Sequence, residues 1–243
     1  MKKHPQTPRG DPDCRGRLKA FALVTVLLAA VSVCVWLSIK PHIQEKRREE
    51  YTGALLDSIE HGGGILPVDS AITIAELDYY DEPYDSDGMI TPTPLMETPA
   101  SVSQPEEPEV ITGIGVLTIE KINLKLPVSA GVSEAQLKIS VGWVPQTAPI
   151  GETGNAVIAG HRSYRRGVMF NRLGEITIGD TITYQPKDGE EKTFVVYDIL
   201  EIEPGDQSAF YQPADEKIIT LFTCTPIRIA THRLLIRARL QTD

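Results

Sequence analysis

Lys217-Ile-Ile-Thr-Leu-Phe-Thr-Cys-Thr-Pro226 is the stretch that organises the rest of the chain. Ile218 to Phe222, rich in β-branched and aromatic residues, reads as a strand. Pro226 has no N–H for a ladder and cannot continue a strand in a sheet interior. Cys224 therefore falls at a strand end, where a thiol can face a groove instead of the core. Downstream, Arg233–Leu240 alternates, with Leu234, Ile236, Ala238 and Leu240 on one face and Arg233, Arg237 and Arg239 on the other. Upstream runs at Val116–Ile122, Asn155–Ala159, Ile176–Tyr184 and Lys192–Ile202 are separated by Gly- and Pro-containing turns. Strands at this spacing predict an all-β domain, either a small closed barrel or a sandwich. Helical insertions are expected at Ser133–Ile139, where Ser133 can cap the N-terminus, and at Met169–Leu173. The strand-rich part from Gly113 onward, about 130 residues, is long enough for one self-sufficient core.

The chain has 243 residues and a net charge of -9, which argues against a nucleic-acid partner, for which a basic face is needed. Ala20–Ile39 carries no charge over 20 residues. At about 1.5 Å per residue this run spans a hydrocarbon core of about 30 Å. It exceeds the roughly 7–15 apolar residues of a signal peptide, so an uncleaved anchor is expected. Lys2, Lys3, Arg9, Arg15, Arg17 and Lys19 outnumber the cations just after the run, predicting a cytoplasmic N-terminus and an exported C-terminus. Lys40–Glu60 reads as a charged helix, ended by His61-Gly-Gly-Gly64. The stretch from Pro67 to Pro108 is rich in Pro and acidic residues and reads as a solvated stalk, interrupted by Asp78-Tyr-Tyr-Asp-Glu-Pro-Tyr84. The expected organisation is a cytoplasmic N-terminus (1–19), a transmembrane anchor (20–39), an extracytoplasmic helix and Pro/acidic linker (40–112) and the folded domain (113–243).

Of Cys14, Cys34 and Cys224, only Cys224 follows the anchor, so the exported part has no second cysteine to pair with. Composition leaves two readings open, a buried inert residue or a working thiol. A thiol attacks as the thiolate, so it needs a basic or cationic neighbour. His42 and His61 lie in the stalk, leaving His161, just past the strand ending at Ala159, and His232. Arg233 cannot act as a base but can hold a carbonyl oxygen as negative charge develops on it. The alternative is a row of surface arginines, the reading adopted for Arg237 and Arg239. The sequence shows no metal-ligand spacing.

Thr220-Leu-Phe-Thr-Cys224 is similar to the TLxTC signature of sortases. Thr231-His-Arg233, with its arginine nine positions beyond Cys224, supplies the downstream arginine of that family. Ala159-Gly-His161 matches the segment carrying the family's histidine. The resemblance runs from about Gly113 to the C-terminus. It implies a closed eight-stranded β-barrel with short helices, behind one transmembrane helix and a linker. It also implies catalysis by Cys224, His161 and Arg233, with Thr223 lining the substrate site and with no cofactor or metal. The implied substrates are surface proteins or pilins with an LPxTG-like signal, cut between Thr and Gly and passed to an amine of a cell-wall precursor or pilin lysine. The implied location is the cell membrane of a Gram-positive bacterium, with the domain outside. Cys224-Thr-Pro226 and Thr231-His-Arg-Leu-Leu235 resemble the pilin-polymerising class. His161-Arg-Ser-Tyr164 with Phe170-Asn-Arg-Leu173 resembles more closely the class of spore-forming bacteria. Asp81 and Tyr84 form a candidate lid over Cys224. Two competing readings are a cysteine hydrolase using the same residues and a stalked surface adhesin in which Cys224 is merely buried.

Overall fold

The computed structural model describes residues 12–68, 109–163 and 165–242. In chain order these form helix α1 (Pro12–His61) and strands β1 (Ile65–Val68), β2 (Glu109–Ile119) and β3 (Leu124–Ala130). Helix α2 (Glu134–Ile139) precedes strands β4 (Val141–Trp143), β5 (Gly154–Ala159), β6 (Thr181–Pro186), β7 (Lys192–Ile202), β8 (Lys217–Thr225) and β9 (His232–Leu240). Short 3-10 segments occupy Glu120–Ile122, Met169–Glu175 and Gln207–Phe210. The stretch 69–108, with Asp81 and Tyr84 of the expected lid, lies outside the described residues.

The strand order is β1-β2-β3-β4-β5-β8-β9-β7-β6, and β6 pairs back onto β2. That last pairing, Gly115 with Pro186 through Thr118 with Thr183, closes strands β2–β9 into an eight-stranded barrel. β1 lies outside the closure, on the first residues of β2. β3–β4 and β5–β8 run parallel and the other neighbours antiparallel. Closure leaves no unpaired edge among the barrel strands, which decides between the barrel and the sandwich.

Alternation builds the interior. Leu117, Ile119, Ala156, Ile158, Ile182, Phe194, Ile219, Leu221, Leu234, Ile236 and Ala238 point inward, and Phe170 and Leu173 pack into the same core. The outer face of β5, β8 and β9 is also buried in part. Val157, Ala159, Phe222 and Leu235 form a second apolar cluster with Val144 and with Ala209 of the 207–210 turn. Asn155 fastens that turn, donating Nδ2–H to the carbonyls of Ala209 (2.8 Å) and Tyr211 (3.1 Å) while its Oδ1 accepts from Thr220 (2.8 Å).

Ser133 caps α2 as expected, and the cap is reciprocal: Ser133 Oγ accepts from Gln136 N–H (3.3 Å), and Ser133 N–H donates to Gln136 Oε1 (2.8 Å). Two of the barrel strands, besides β1 outside the barrel, escape the sequence pattern. β4 has three residues, and β3 contains Pro127, tolerated because pairing with β4 begins only at Val128.

The apolar run and the charged segment after it both belong to α1, with Pro41 inside the helix. The chain divides between Ile43 and Gln44 into two units. In the first, Leu23, Leu27 and Trp36 are exposed, and the helix is long and apolar enough to cross a membrane. In the second, Leu55 and Ile59 of α1 are buried against Ile111, Val116, Ala135 and Ile139. Burying each such side chain contributes about 1.5–3 kcal/mol. The exposed Lys125–Glu60 pair (2.8 Å) is screened by solvent and adds little, so apolar contact holds this half of α1 to the barrel. Residues 44–61 and β1 are thus packed on the domain that sequence pattern alone began at residue 113.

Candidate active site

The β8–β9 register sets Cys224 opposite Arg233, with Thr223 opposite Leu234 and Thr225 opposite His232. Directly opposed residues share a sheet face with Cβ atoms about 4.5–5.5 Å apart. Cys224 and Arg233 are therefore neighbours on the outer face, beside the apolar cluster of Ala159, Phe222 and Leu235. Arg233 is only 4% exposed, and its Nη1 donates to the carbonyls of Ala230 and His232, both at 3.0 Å. Ala230 has a left-handed backbone (φ 55°), which costs a non-glycine residue roughly 1–2 kcal/mol. Hydrogen bonds to a charged group, about 1.5–3 kcal/mol each, offset that cost, so the loop and the guanidinium hold each other in place.

β5 delivers the histidine. Ala159 pairs with Phe222 in the parallel ladder, and Gly160 N–H extends it by donating to the Phe222 carbonyl (3.1 Å). Thr223 Oγ1 then donates to the Gly160 carbonyl (2.7 Å). His161 leaves the ladder in step with Cys224. Only glycine fits at 160, because a Cβ there would meet Phe170 and Val141 side-chain atoms at 2.8 Å. The His161 carbonyl accepts from Phe170 N–H (3.0 Å), and its half-buried side chain lines a small cavity with Arg48, Leu137, Lys138, Ser163 and Met169. The next residue, Arg162, donates Nη1–H to the Cys224 carbonyl (3.4 Å).

Burial pushes the Cys224 thiol above its ordinary range, and the guanidinium ions of Arg233 and Arg162 pull it back down. Burial wins, so at neutral pH the resting sulfur is mainly a thiol. Any thiolate formed lies near two fixed positive charges. A nucleophile of this kind, an imidazole and a guanidinium are the groups that acyl transfer through a thioester requires.

The structure brings Cys224 and Arg233 together, and the end of β5 sets the His161 backbone in step with Cys224 while the His161 side chain faces Arg48, Lys138 and Ser163. His232 pairs with Thr225, on the opposite strand parity from the thiol, and its exposed ring lies 3.0 Å from Thr231 Oγ1. Thr223, expected to line the substrate site unless its hydroxyl is satisfied within the strand, has that hydroxyl bonded to the Gly160 carbonyl. It is 1% exposed on the interior parity. Arg237 departs from the solvated reading, because it binds Asp198 Oδ2 (3.3 Å) and the Ser208 carbonyl (2.7 Å) under the 207–210 turn. Arg239 is exposed and paired with Glu216 (3.0 Å), as a surface arginine. Sequence pattern missed Arg162, whose only signal was its place beside His161, and Asn155, which reads as an ordinary strand residue. Among the described residues no cluster of His, Cys, Asp and Glu could hold a metal ion.

Residues 117–241, just over half of the chain, match the model of the sortase domain. Over 144 residues the chain is 26% identical to sortase A of Bacillus anthracis, an alignment covering 56% of this chain and 67% of that protein. Over 120 residues it is 29% identical to sortase D of Bacillus subtilis (strain 168), covering 49% and 58%. Among solved structures, sortase C1 from Streptococcus agalactiae superposes with a TM-score of 0.51 at 32% identity, covering 54% of this chain and 68% of that one. The sortase D5 transpeptidase of Clostridium perfringens superposes with a TM-score of 0.50 at 30% identity, covering 54% and 80%. The matched segment coincides with the barrel whose strand ends carry Cys224, Arg233 and His161, and on that match the chain belongs to the sortase family.

Proposed function

We propose that the protein is a membrane-anchored cysteine transpeptidase that cleaves an LPxTG-like sorting signal between Thr and Gly. The observation that carries this reading is the cross-strand pair of Cys224 and Arg233 at the end of the strand next to His161. Cys224 gives its thiol proton to His161, Sγ as the thiolate adds to the threonine carbonyl carbon, and the Arg233 guanidinium receives the developing oxyanion. The C–N bond breaks as His161 gives a proton to the departing glycine amine, leaving a thioester. An acceptor amine then adds to that carbonyl and loses its proton to His161, and the Cys224 thiolate departs. The substrates on this reading are surface proteins or pilins, the acceptor is an amine of a cell-wall precursor or a pilin lysine, and the barrel lies outside the cell membrane. Basic residues before the apolar run support that orientation. Likeness to solved structures of both the sortase C and the sortase D classes, the latter a transpeptidase, supports this reading.

The test incubates full-length protein in detergent with an LPxTG peptide, with and without triglycine, and reads intact mass and products. A thioester adduct on Cys224, and a peptide–triglycine product only when triglycine is present, are expected. Water as the sole acceptor would replace the reading with a hydrolase, and no adduct at all with LPxTG-like peptides would remove it. Cys224→Ala should form no adduct while staying folded.

A further inference from the structure

A second arginine approaches the cysteine from a different strand. Arg162 follows β5, and its Nη1 donates to the Cys224 carbonyl at 3.4 Å. Its Nε is buried without a hydrogen-bond partner among the described residues. Gly174 leaves room for its fork, since a Cβ there would come within 2.6 Å of Arg162 Nη2. The segment carrying Arg162 is itself pinned to β8 through Thr223 and Gly160. A buried donor left without a partner costs about 1–3 kcal/mol, so the side chain is held where it is poorly satisfied. A surface arginine turned to solvent would avoid that cost.

We propose that Arg162 is a positioning residue for the nucleophile: it fastens the Cys224 carbonyl to the end of β5 and holds a second fixed positive charge beside the sulfur. The inference rests on Cys224 being the nucleophile. Arg233 approaches from β9 and is committed to the Ala230 and His232 carbonyls, whereas Arg162 comes from the β5 side. The other charged or titratable groups around the pair are Glu201 of β7, which favours the Arg162 cation, His161 on the same loop and His232 on β9. Both guanidinium ions draw the thiol toward ionisation against its burial. Arg162 thereby raises the fraction of thiolate without touching substrate.

The experiment measures the rate of alkylation of Cys224 by iodoacetamide against pH. It uses full-length protein carrying Cys14→Ser and Cys34→Ser, so that Cys224 is the only thiol. A nearby opposite charge shifts a pKa by about 1–3 units, and for this part-exposed cysteine the lower end applies. Arg162→Met should move the alkylation midpoint up by about one unit, a roughly tenfold slower reaction at any pH below it. Arg162→Lys should restore most of the shift by returning the charge. Gly174→Ala, which displaces the fork without changing it, should shift the midpoint in the same direction. An unchanged midpoint in Arg162→Met, or a shift that lysine does not reduce, overturns the proposal. If Arg162→Met fails to fold, Gly174→Ala decides by its own midpoint. Failure of the transpeptidase reading is distinguishable, because wild-type protein would then leave sorting peptides intact whatever its alkylation midpoint.

Discussion

Arg233→Lys separates charge from geometry at the centre of the proposed mechanism. Arg233 is nearly fully buried, and a single nitrogen, Nη1, serves the carbonyls of Ala230 and His232 at 3.0 Å each. A planar fork of five donors can satisfy that scaffold and an oxyanion together. An ammonium has three donors, two of which must replace the bonds to Ala230 and His232. Its remaining N–H is not fixed in direction, because the lysine stem rotates. Loss of one oriented oxyanion donor typically costs about 10²–10³ in rate, or roughly 2.7–4 kcal/mol, and kcat/KM on an LPxTG-like peptide should fall by that factor. The charge remains, so the alkylation rate of Cys224 by iodoacetamide should change little. Paired measurements of peptide turnover and alkylation, with a thermal melt to verify the fold, test both halves. A lysine variant that keeps kcat/KM within about tenfold of wild type, a barrier change of only about 1.4 kcal/mol, would refute the assigned role.

Three further outcomes follow from the same contacts. His161→Ala should lower kcat by about 10²–10⁴, the usual contribution of a positioned general acid, while His232→Ala should keep most activity; the reverse order in steady-state kinetics would move the role to His232. Arg237→Lys should leave turnover near wild type but lose part of the bridge between Asp198 and Ser208, costing about 1 kcal/mol and lowering Tm by about 2–4 °C in a scanning melt. Tyr184, buried with its hydroxyl donating to the Ile114 carbonyl (2.9 Å), has its pKa pushed up to about 12 by burial. A raised folded-state value contributes stability that is complete below the unfolded value near pH 10 and is lost as pH climbs through about 12. The two-unit shift amounts to about 2.7 kcal/mol, so wild type and Tyr184→Phe should converge in denaturant melts as pH rises across that window.

The features that depend on local chemistry were legible in the amino-acid order alone. The alternation of Leu234, Ile236 and Ala238 set the inward face of β9, since side-chain direction has a period of two whatever the partner strand. Pro226 placed Cys224 at a strand end, because a missing N–H is a property of the residue. Ser133 marked the start of α2, because a hydroxyl able to take a free helix N–H is likewise a property of the residue. What the sequence left open depended on which strands meet. Whether the strands formed a barrel or a sandwich hung on the β2–β6 pairing, between segments some 70 residues apart. Arg237 reads as a solvated arginine until the 207–210 turn folds over it, and only the packing of β5 on β8 names Gly160 as the partner of the Thr223 hydroxyl. The burial of Leu55 and Ile59 likewise needed β2 and α2 beneath them before that half of α1 could be told from a solvated helix. Arg162 belongs to this group. A side chain's local sequence fixes its charge, but only the parallel register of β5 on β8 could bring that charge to the carbonyl of Cys224, 62 positions away.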